Sequence, residues 1–198
     1  ILIVRNLYQI NASEEVQLEK RALEKEHSKL QTETIRDVLT SAYNRRYFEK
    51  RLSEEFVACA ERNYGWPLDK FKEVNDGFGH QAGDAILKTV ADLLLETTRD
   101  TDIVSRYGGD EFVLLLPGVD TGQVNSVADR ICAEARARKA TIAQGKQVGI
   151  TLSLGVATCD ATNQFESAQA LLAAADSALY NSKRSGRDRY TLYKTAAA

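Results

Sequence analysis

Apolar residues recur at helical spacing in four stretches of the chain, near residues 45–59, 84–94, 120–139 and 168–182. Spacings of three and four residues place such side chains on one face of a helix, so the pattern predicts four amphipathic helices. The fourth is rich in alanine and leucine. The buried faces of the other three are predicted to hold Tyr47, Phe48, Leu52, Phe56 and Cys59; then Ile86, Leu87, Val90, Leu93 and Leu94; then Val124, Val127, Ile131 and Ala135.

Polar residues and glycines mark the expected helix ends. Thr40 or Asn44 can cap the first helix and Asp84 the second, because their side-chain oxygens accept hydrogen bonds from free amides. Gly65-Trp66-Pro67 is expected to end the first helix, and Gly186 to close the fourth.

Runs of apolar and β-branched residues between the helices predict strands. Residues 101–105 and 113–117 flank the run Arg106-Tyr107-Gly108-Gly109-Asp110-Glu111-Phe112, which predicts a hairpin with a tight turn at Gly108-Gly109-Asp110. Residues 147–157 and 190–193 predict two further strands. The alternation of helices and strands predicts one compact α/β layer.

The first 36 residues differ in composition from the rest. Residues 1–10 are apolar and β-prone, and could be the end of a preceding domain. From Ser13 onward Val16, Leu23 and Leu30 recur every seven residues, but the second seam position of the heptad is polar. Two interpretations stay open: a coiled-coil stalk below an upstream sensor, and a solvated linker helix. We expect residues 1–36 to be linker and 37–198 to be a separate domain.

The composition argues against several classes of protein. A net charge of −2, from 26 basic and 28 acidic residues, does not favour a nucleic-acid-binding surface. Three widely spaced cysteines indicate reduced thiols, not disulfides or a zinc site. No apolar run reaches the ~18 residues that a membrane span needs. We expect a cytoplasmic domain, although the full-length protein could be tethered to a membrane through an N-terminal part.

The predicted hairpin tip holds more chemistry than a turn requires. Gly108 and Gly109 leave backbone amides uncovered, so that phosphate oxygens can approach them. The carboxylates of Asp110 and Glu111 are ligands that Mg²⁺ prefers. An ordinary exposed hairpin would explain one acid but not the second, and we interpret the tip as a site for a metal-bound polyphosphate.

Two other polar stretches are candidates for the same site. Residues 68–84 contain three glycines and many polar groups, which predicts an irregular, site-forming segment in place of a plain helix. Four cations, Lys183, Arg184, Arg187 and Arg189, cluster at the end of the last predicted helix. They could stabilise the negative end of the helix dipole, or they could form a phosphate clamp.

Five separated blocks together resemble the diguanylate cyclase domains named after their Gly-Gly-Asp-Glu-Phe signature, from Arg36 to about Tyr193. The blocks are Asp37-Val38-Leu39-Thr40 with Asn44-Arg45-Arg46; Asp69-Lys70-Phe71-Lys72 with Asn75-Asp76; Gly79-His80 with Gly83-Asp84; Arg106 to Phe112; and Ala175-Asp176 with Ala178-Leu179-Tyr180, Lys183, Gly186 and Arg187. The resemblance implies a nucleotide-cyclase-like fold, with a central, mostly antiparallel sheet flanked by helices, here behind an N-terminal helical stalk. It also implies the condensation of two GTP into cyclic di-GMP with release of pyrophosphate.

The resemblance implies roles for the matching residues. At the hairpin, Asp110 would bind Mg²⁺ (or Mn²⁺) together with the backbone of Leu68, and Glu111 would assist as ligand or as base for the attacking 3′-hydroxyl. Gly108 and Gly109 would approach the phosphates. Asn75 and Asp84 would recognise guanine, and His80 would shape the guanine pocket. The triphosphate would be contacted by Phe71, Lys72, Lys183 and Arg187, of which Lys72 is a catalytic candidate.

Arg99 and Asp102 add a second match, because the family carries an Arg-x-x-Asp at this distance before its signature. The resemblance implies an inhibitory site for cyclic di-GMP, with Arg130 as a further contact. By themselves the two residues would be an ordinary surface ion pair.

One segment departs from the family. An apolar strand ending in a metal-binding Asp is expected before Leu68, but Pro67 precedes Leu68 directly and about seven residues are missing. Three explanations are open: a stretch of the protein that this sequence lacks, an engineered or degenerate protein, or a shortened strand that includes Gly65-Trp66-Pro67. We favour the first explanation, because the blocks on either side are intact.

Two functions from different classes follow. The first is a diguanylate cyclase that works as a homodimer, joined through the N-terminal helix and controlled by an upstream sensor, because a two-fold symmetric product requires two facing domains. The second is a catalytically inactive domain that binds cyclic di-GMP as a receptor.

Overall fold

The computed structural model describes residues 35–57, 62–67, 71–160 and 164–194, together with positions 17, 20 and 21. For residues 57, 62–67 and 121 the description covers the backbone alone. In chain order the helices and strands are β1 (Tyr43–Asn44), α1 (Arg45–Val57), β2 (Arg62–Pro67), α2 (Phe71–Phe78), α3 (His80–Thr97), β3 (Ile103–Gly108), β4 (Glu111–Leu115), α4 (Thr121–Ala137), β5 (Lys139–Thr141), a 3-10 turn (Ala143–Gly145), β6 (Gln147–Gly149), β7 (Leu154–Thr158), α5 (Ala168–Arg184) and β8 (Tyr190–Leu192).

Six strands form the main sheet in the order β1-β3-β4-β2-β7-β8. The four central strands pair antiparallel, whereas β1 and β8 run parallel to their neighbours at the two edges. The predicted mixed α/β fold with a mostly antiparallel central sheet is therefore confirmed. Strands β5 and β6 form a separate two-stranded ribbon.

The sheet is covered on both faces, which explains the continuous apolar run in β4. Phe112 and Leu114 pack in one cluster with α3 and α4, while Val113 and Leu115 point the other way, toward α1 and α5. Alternate residues of a strand face opposite sides of a sheet, so both sets must be apolar. The predicted inward residues of α3 are all buried, and α4 buries Val124, Ile131 and Ala135.

Several predicted helix ends are confirmed. Asn44, not Thr40, caps α1: its Oδ1 accepts a hydrogen bond from the Tyr47 amide at 3.0 Å. Helix α4 begins at the predicted place, and Asp120 caps it in a capping box with Gln123, a role that was not predicted. Helix α5 ends at Arg184, and Gly186 follows with a φ of +111°.

Helix α5 lies very close to β7. A Cβ placed on Gly155 would lie 2.0 Å from the Ala175 carbonyl oxygen, so only glycine permits this approach. The position of α5, and of the cations at its end, is therefore determined by direct backbone contact with the sheet.

The prediction that Gly65-Trp66-Pro67 ends α1 is wrong. Helix α1 ends at Val57, and Arg62–Pro67 forms β2 in the centre of the sheet, between β4 and β7. Without a strand between them, β4 and β7 would leave backbone amides and carbonyls unpaired in the core, and residues 62–67 pair with both strands. A shortened strand, the explanation that we did not favour, therefore completes the sheet.

Three other sequence expectations are corrected. Residues 71–78 form a regular helix across Gly77, and the break comes at Gly79, whose φ is +81°. Asp84 does not cap α3, because the helix begins at His80 with Gly79 at its N-cap. Residues 147–157 are not one strand: they divide between β6 in the ribbon and β7 in the main sheet.

The contacts divide the chain into two compact units, 1–35 and 36–198. In the first unit Gln17, Lys20 and Arg21 are helical and exposed. The predicted strand at residues 1–10 and the heptad positions Val16, Leu23 and Leu30 lie outside the described residues, so the stalk stays a prediction. Within the described ranges, no helix combines the length and the apolar character needed to cross a bilayer.

Candidate functional site

The hairpin tip is an open, glycine-lined turn between β3 and β4. Gly109 has a φ of +48°. Apart from their chain neighbours, no described residue has an atom within 4 Å of a Cβ placed on Gly108 or on Gly109. The pairing shifts register between Arg106 and Gly108, a bulge that re-aims the end of the strand. Asp110 is half-buried at the turn, and Glu111 is exposed as the first residue of β4.

Arg106 fixes the backbone of the hairpin tip through hydrogen bonds. Its Nε and Nη2 donate to the Gly109 carbonyl oxygen at 3.0 and 2.8 Å, and its Nη1 reaches Asp37 Oδ1 and Oδ2 at 3.2 and 3.3 Å. Asp37 also accepts hydrogen bonds from the Thr40 amide and hydroxyl at 2.9 and 2.7 Å. Because the Arg106 guanidinium donates to both the Gly109 carbonyl and the Asp37 carboxylate, it restricts the backbone conformation of the turn.

Asp37 is ionised more readily than an ordinary aspartate. Burial would raise its pKa, but the hydrogen bonds from Thr40 and the guanidinium of Arg106 outweigh burial and lower the pKa below the usual 3.8. The negative charge opposite Arg106 is therefore maintained well into the acidic range.

Glu111 and Lys183, two predicted site residues far apart in sequence, line the same cavity of about 210 Å³ between β4 and α5. Asp176 and Tyr107 also line it. Burial raises the pKa of Asp176, and the charge of Lys183 opposes that effect. The cavity thus brings two carboxylates and one ammonium group to the end of the hairpin.

The donor chemistry at the hairpin suits a divalent cation that the substrate helps to hold. Among the described residues, no group of three or more His, Cys, Asp or Glu side chains could hold a metal alone. Mg²⁺ in nucleotide sites commonly uses one or two carboxylates together with substrate phosphates, and Asp110 with Glu111 meets that requirement. Leu68, the predicted backbone ligand, lies outside the described residues.

Strand β2 contributes no acid at this place. Its last residue, Pro67, pairs with Glu111 across the sheet. The family's metal-binding Asp is expected at the end of this strand, and proline has no ligand atom in its side chain. Among the described residues, Asp110 and Glu111 are therefore the acids of the turn itself, and β2 adds none.

The guanine-binding candidates lie on α2 and α3. Asn75 Oδ1 is buried and meets no hydrogen-bond donor in the described part of the chain. It lies against the backbone of Gly83: a Cβ there would be 2.1 Å from Asn75 Oδ1 and 2.9 Å from Phe71 Cζ. A buried carbonyl oxygen without a donor is costly, so Asn75 has the property expected of a ligand-binding group.

The other candidates on these helices are at the surface. Phe71 is partly buried against the core, whereas Lys72, His80 and Asp84 are exposed. Their positions on α2 and α3 leave the three polar side chains accessible to a ligand.

Arg187 lies in an unusual turn after α5. Arg187 and Asp188 have φ values of +62° and +49°, directly after Gly186 at +111°. The Arg187 amide donates to the Ser182 carbonyl oxygen at 3.1 Å, and the Arg187 side chain is exposed. Non-glycine residues are uncommon in this backbone region and need external support.

The three residues of the predicted product site do come together. Arg99, Asp102 and Arg130 line one cavity of about 630 Å³ between α3 and α4. The Arg99 amide donates to Asp102 Oδ2 at 2.8 Å, and Arg130 Nη2 donates to the Thr97 carbonyl oxygen at 2.6 Å.

Asp102 is poised to accept further hydrogen bonds. Its Oδ1 is buried and has no hydrogen-bond partner within the described ranges. Burial raises the pKa of Asp102, while the Arg99 amide and the charges of Arg99 and Arg130 lower it by a smaller amount. A ligand that donates to Oδ1 would satisfy this atom.

Several residues around both cavities were not predicted from the sequence. Arg138 lines the cavity of Arg99, Asp102 and Arg130 and donates to Glu96 Oε2 at 2.6 Å. The spacing of Arg130, Glu134 and Arg138 by four residues could have revealed it, because such residues share a helix face. Asp37 and Asp176 stood in the quoted blocks, but the blocks alone assigned them no contact.

Comparison with known proteins agrees with this arrangement. Residues 34–189 match the protein family described as "Diguanylate cyclase, GGDEF domain". The chain is 38% identical over 167 residues to diguanylate cyclase DosC of Escherichia coli K12, which covers 81% of this chain and 35% of that protein. It is 34% identical over 176 residues to diguanylate cyclase A of Treponema denticola, covering 85% of this chain and 47% of that one. The chain thus spans between about a third and a half of the length of these relatives.

Solved structures show the same fold. The GGDEF domain of YfiN (TpbB) from Pseudomonas aeruginosa superimposes with a TM-score of 0.74 at 34% identity, covering 80% of this chain and 94% of that one. The GGDEF domain of DgcB from Caulobacter crescentus, solved in complex with c-di-GMP, gives a TM-score of 0.76 at 29% identity and covers 82% and 98%.

Proposed function

The chain belongs to the diguanylate cyclase GGDEF-domain family, and we propose that it condenses two GTP into cyclic di-GMP with release of pyrophosphate. The observation that carries this proposal is the hairpin tip: two accessible glycines beside Asp110 and Glu111, held by Arg106. Attack of a 3′-hydroxyl on an α-phosphate depends mainly on positioning and on neutralisation of charge, and the tip supports both.

Each predicted residue has a task in this proposal. The Gly108 and Gly109 backbone receives the phosphates, and Lys72, Lys183 and Arg187 neutralise their charge. Asp110 and Glu111 hold Mg²⁺ (or Mn²⁺), which when bound would neutralise further phosphate charge. Glu111 is also the candidate to accept the proton of the attacking hydroxyl, and Lys183 lines its cavity.

Guanine recognition follows from acceptor chemistry on α2 and α3. Guanine presents N–H donors at N1 and N2, and Asn75 Oδ1 is a buried acceptor without a donor among the described residues. Asp84 offers a second acceptor on an exposed helix face, and His80 lies one turn before it. This combination favours guanine over adenine.

The test is direct. Purified protein is incubated with GTP and Mg²⁺, and cyclic di-GMP is measured by chromatography. We expect product from the wild type and none from Asp110→Ala, with the thermal unfolding temperature of the variant unchanged. Asp92→Ala, which removes an exposed acid of α3, is the matched control and should retain turnover. Turnover by Asp110→Ala would remove Asp110 from the metal role.

A second function is favoured by one specific observation. Pro67 pairs with Glu111, so β2 ends without a carboxylate beside the tip, while the three predicted product-site residues line one cavity. A domain that binds cyclic di-GMP without making it would need only that cavity. No turnover, together with tight cyclic di-GMP binding that is lost in Arg99→Ala, would establish the receptor function. Turnover that cyclic di-GMP inhibits in the wild type but not in Arg99→Ala would establish product inhibition.

The partners belong to the same proposal. A two-fold symmetric product requires two hairpins that face each other, which calls for a homodimer. The N-terminal helix is the candidate to join the two copies and to connect them to an upstream sensor, and we place the catalytic domain itself in the cytoplasm. Relatives roughly twice as long as this chain leave room for such a sensor.

A further inference from the structure

The turn that carries Arg187 is held by a residue of a different helix. Arg136, on α4, donates from Nε to both carboxylate oxygens of Asp188 at 2.9 Å each, and from Nη2 to the Asp188 carbonyl oxygen at 2.8 Å. One guanidinium thus binds the side chain and the backbone of the same residue. Three hydrogen bonds of this kind define the orientation of Asp188 far better than a single ion pair would.

The turn needs such support. Of the described non-glycine residues, Ser41, Gln144, Arg187 and Asp188 have positive φ, and the last two are neighbours. Two consecutive L-residues in the left-handed region are strained, and such strain persists where surrounding contacts hold it. Directly after the turn, the Arg189 carbonyl oxygen accepts a hydrogen bond from the amide of Leu154, the first residue of β7, at 2.8 Å.

We propose that Arg136 is a positioning residue for substrate: through Asp188 it holds the left-handed turn that presents Arg187 to the triphosphate of GTP. The inference rests on the proposed role of Arg187 in GTP binding. Without Arg136 the backbone of residues 187 and 188 relaxes toward ordinary conformations, and the Arg187 side chain leaves its place. Arg136 itself does not touch the substrate.

The experiment compares Arg136→Gln with the wild type in binding of a non-reacting guanosine triphosphate analogue by calorimetry. We expect affinity to fall about tenfold, since a charge-assisted contact to phosphate is weakened. Lys50→Gln, which removes one positive charge from an exposed pair with Glu54 on α1, is the control and should bind like the wild type. An equal loss in both variants would assign the effect to overall charge and overturn the proposal.

Two further variants separate positioning from simple stabilisation. Glycine accepts positive φ without strain, so Arg136→Gln/Asp188→Gly should recover affinity although the ion pair is gone. In an Arg187→Asn background, Arg136→Gln should have no further effect on affinity. A lower unfolding temperature with unchanged affinity, or an additional loss in the Arg187→Asn background, would show that Arg136 is only structural.

A measurement without nucleotide keeps the outcomes distinct. The Arg187 amide donates to Ser182, and its hydrogen exchange should be faster in Arg136→Gln than in the wild type. Unchanged hydrogen exchange would show that Arg136 does not hold the turn and would overturn the proposal. If exchange accelerates but the wild type binds no triphosphate, Arg136 does hold the turn, and the assignment of Arg187 to GTP is wrong.

Discussion

Arg106 shows how much of the hairpin tip depends on single side chains. It bonds to the turn through Gly109 and to the chain before β1 through Asp37, 69 residues away in sequence. Its carboxylate partner is itself ordered by Thr40. Asp37 and Thr40 therefore support the Gly108-Gly109 turn through Arg106, without any need to contact a ligand themselves.

We expect Asp37→Asn to be less stable than the wild type at neutral pH. Because the folded pKa of Asp37 lies below its usual value, its stabilisation is present above the unfolded pKa and is lost as pH falls through the folded pKa. The difference in unfolding free energy should therefore be full at pH 7 and shrink below about pH 4. Urea denaturation at both pH values measures it, with Asp92→Asn as the control. A difference that does not change with pH would contradict the charged role of Asp37.

At the scale of elements, periodicity predicted α1, α3, α4 and α5, because a buried face imposes its spacing on the sequence. Helix α2, which has no fully buried side chain, was not predicted. The central strand β2 was considered as a shortened strand but not favoured, and it has no periodic pattern. Residues 62–67 contain Gly65 and Pro67 and have no strand pattern of their own. They pair as β2 because β4 and β7 would otherwise leave backbone groups unpaired, and a local pattern does not record that requirement.

The candidate site was predicted in part for similar reasons. Short motifs identified the hairpin, Asn75 and the Arg99–Asp102 pair, since each lies within a few consecutive residues. The bonds of Arg136 to Asp188 span 52 residues, and Asp37 to Arg106 spans 69. Neither pair leaves a spacing signal, so folding alone reveals them.

The close packing of α2 against α3 yields a prediction about base recognition. In Gly83→Ala the new methyl group would collide with Asn75 Oδ1, which must then move. Phe71 Cζ would lie 2.9 Å from the same methyl group and must shift as well. Because both neighbours are side-chain atoms and not backbone, we expect only a modest loss of stability, but weaker binding of a guanosine triphosphate analogue and a smaller preference for GTP over ATP. Calorimetry with both nucleotides measures the two effects.

Gly77→Ala is the matched control, because Gly77 is on α2 and has open space within 4 Å. It should bind nucleotide normally and gain about 0.5–1 kcal/mol of stability, as alanine favours a helix over glycine. Equal nucleotide binding by wild type and Gly83→Ala would exclude Asn75 from the guanine site.

At the scale of the whole molecule, the Gly-Gly-Asp-Glu signature occurs once in each chain, while the proposed product contains two identical linkages. The rate per mole of protein should therefore rise with protein concentration and reach a plateau when the dimer is saturated. Fusion of a parallel leucine zipper to the N-terminus should raise the rate at low concentration, because linkage increases the effective concentration of the second domain. The same fusion on Asp110→Ala should stay inactive. A rate per mole that is independent of concentration down to the monomeric state would contradict the two-domain site.

Helix α4 contributes to both candidate sites, with Arg130 in the cavity that Arg99 and Asp102 also line and Arg136 on the turn of Arg187. Thermodynamic linkage gives this a measurable consequence: if cyclic di-GMP changes the affinity for a GTP analogue by some factor, the analogue changes the affinity for cyclic di-GMP by the same factor. Titrations in both orders should return one coupling free energy, and Arg136→Gln should reduce it toward zero. A coupling that survives this substitution would show that the two sites communicate by another route.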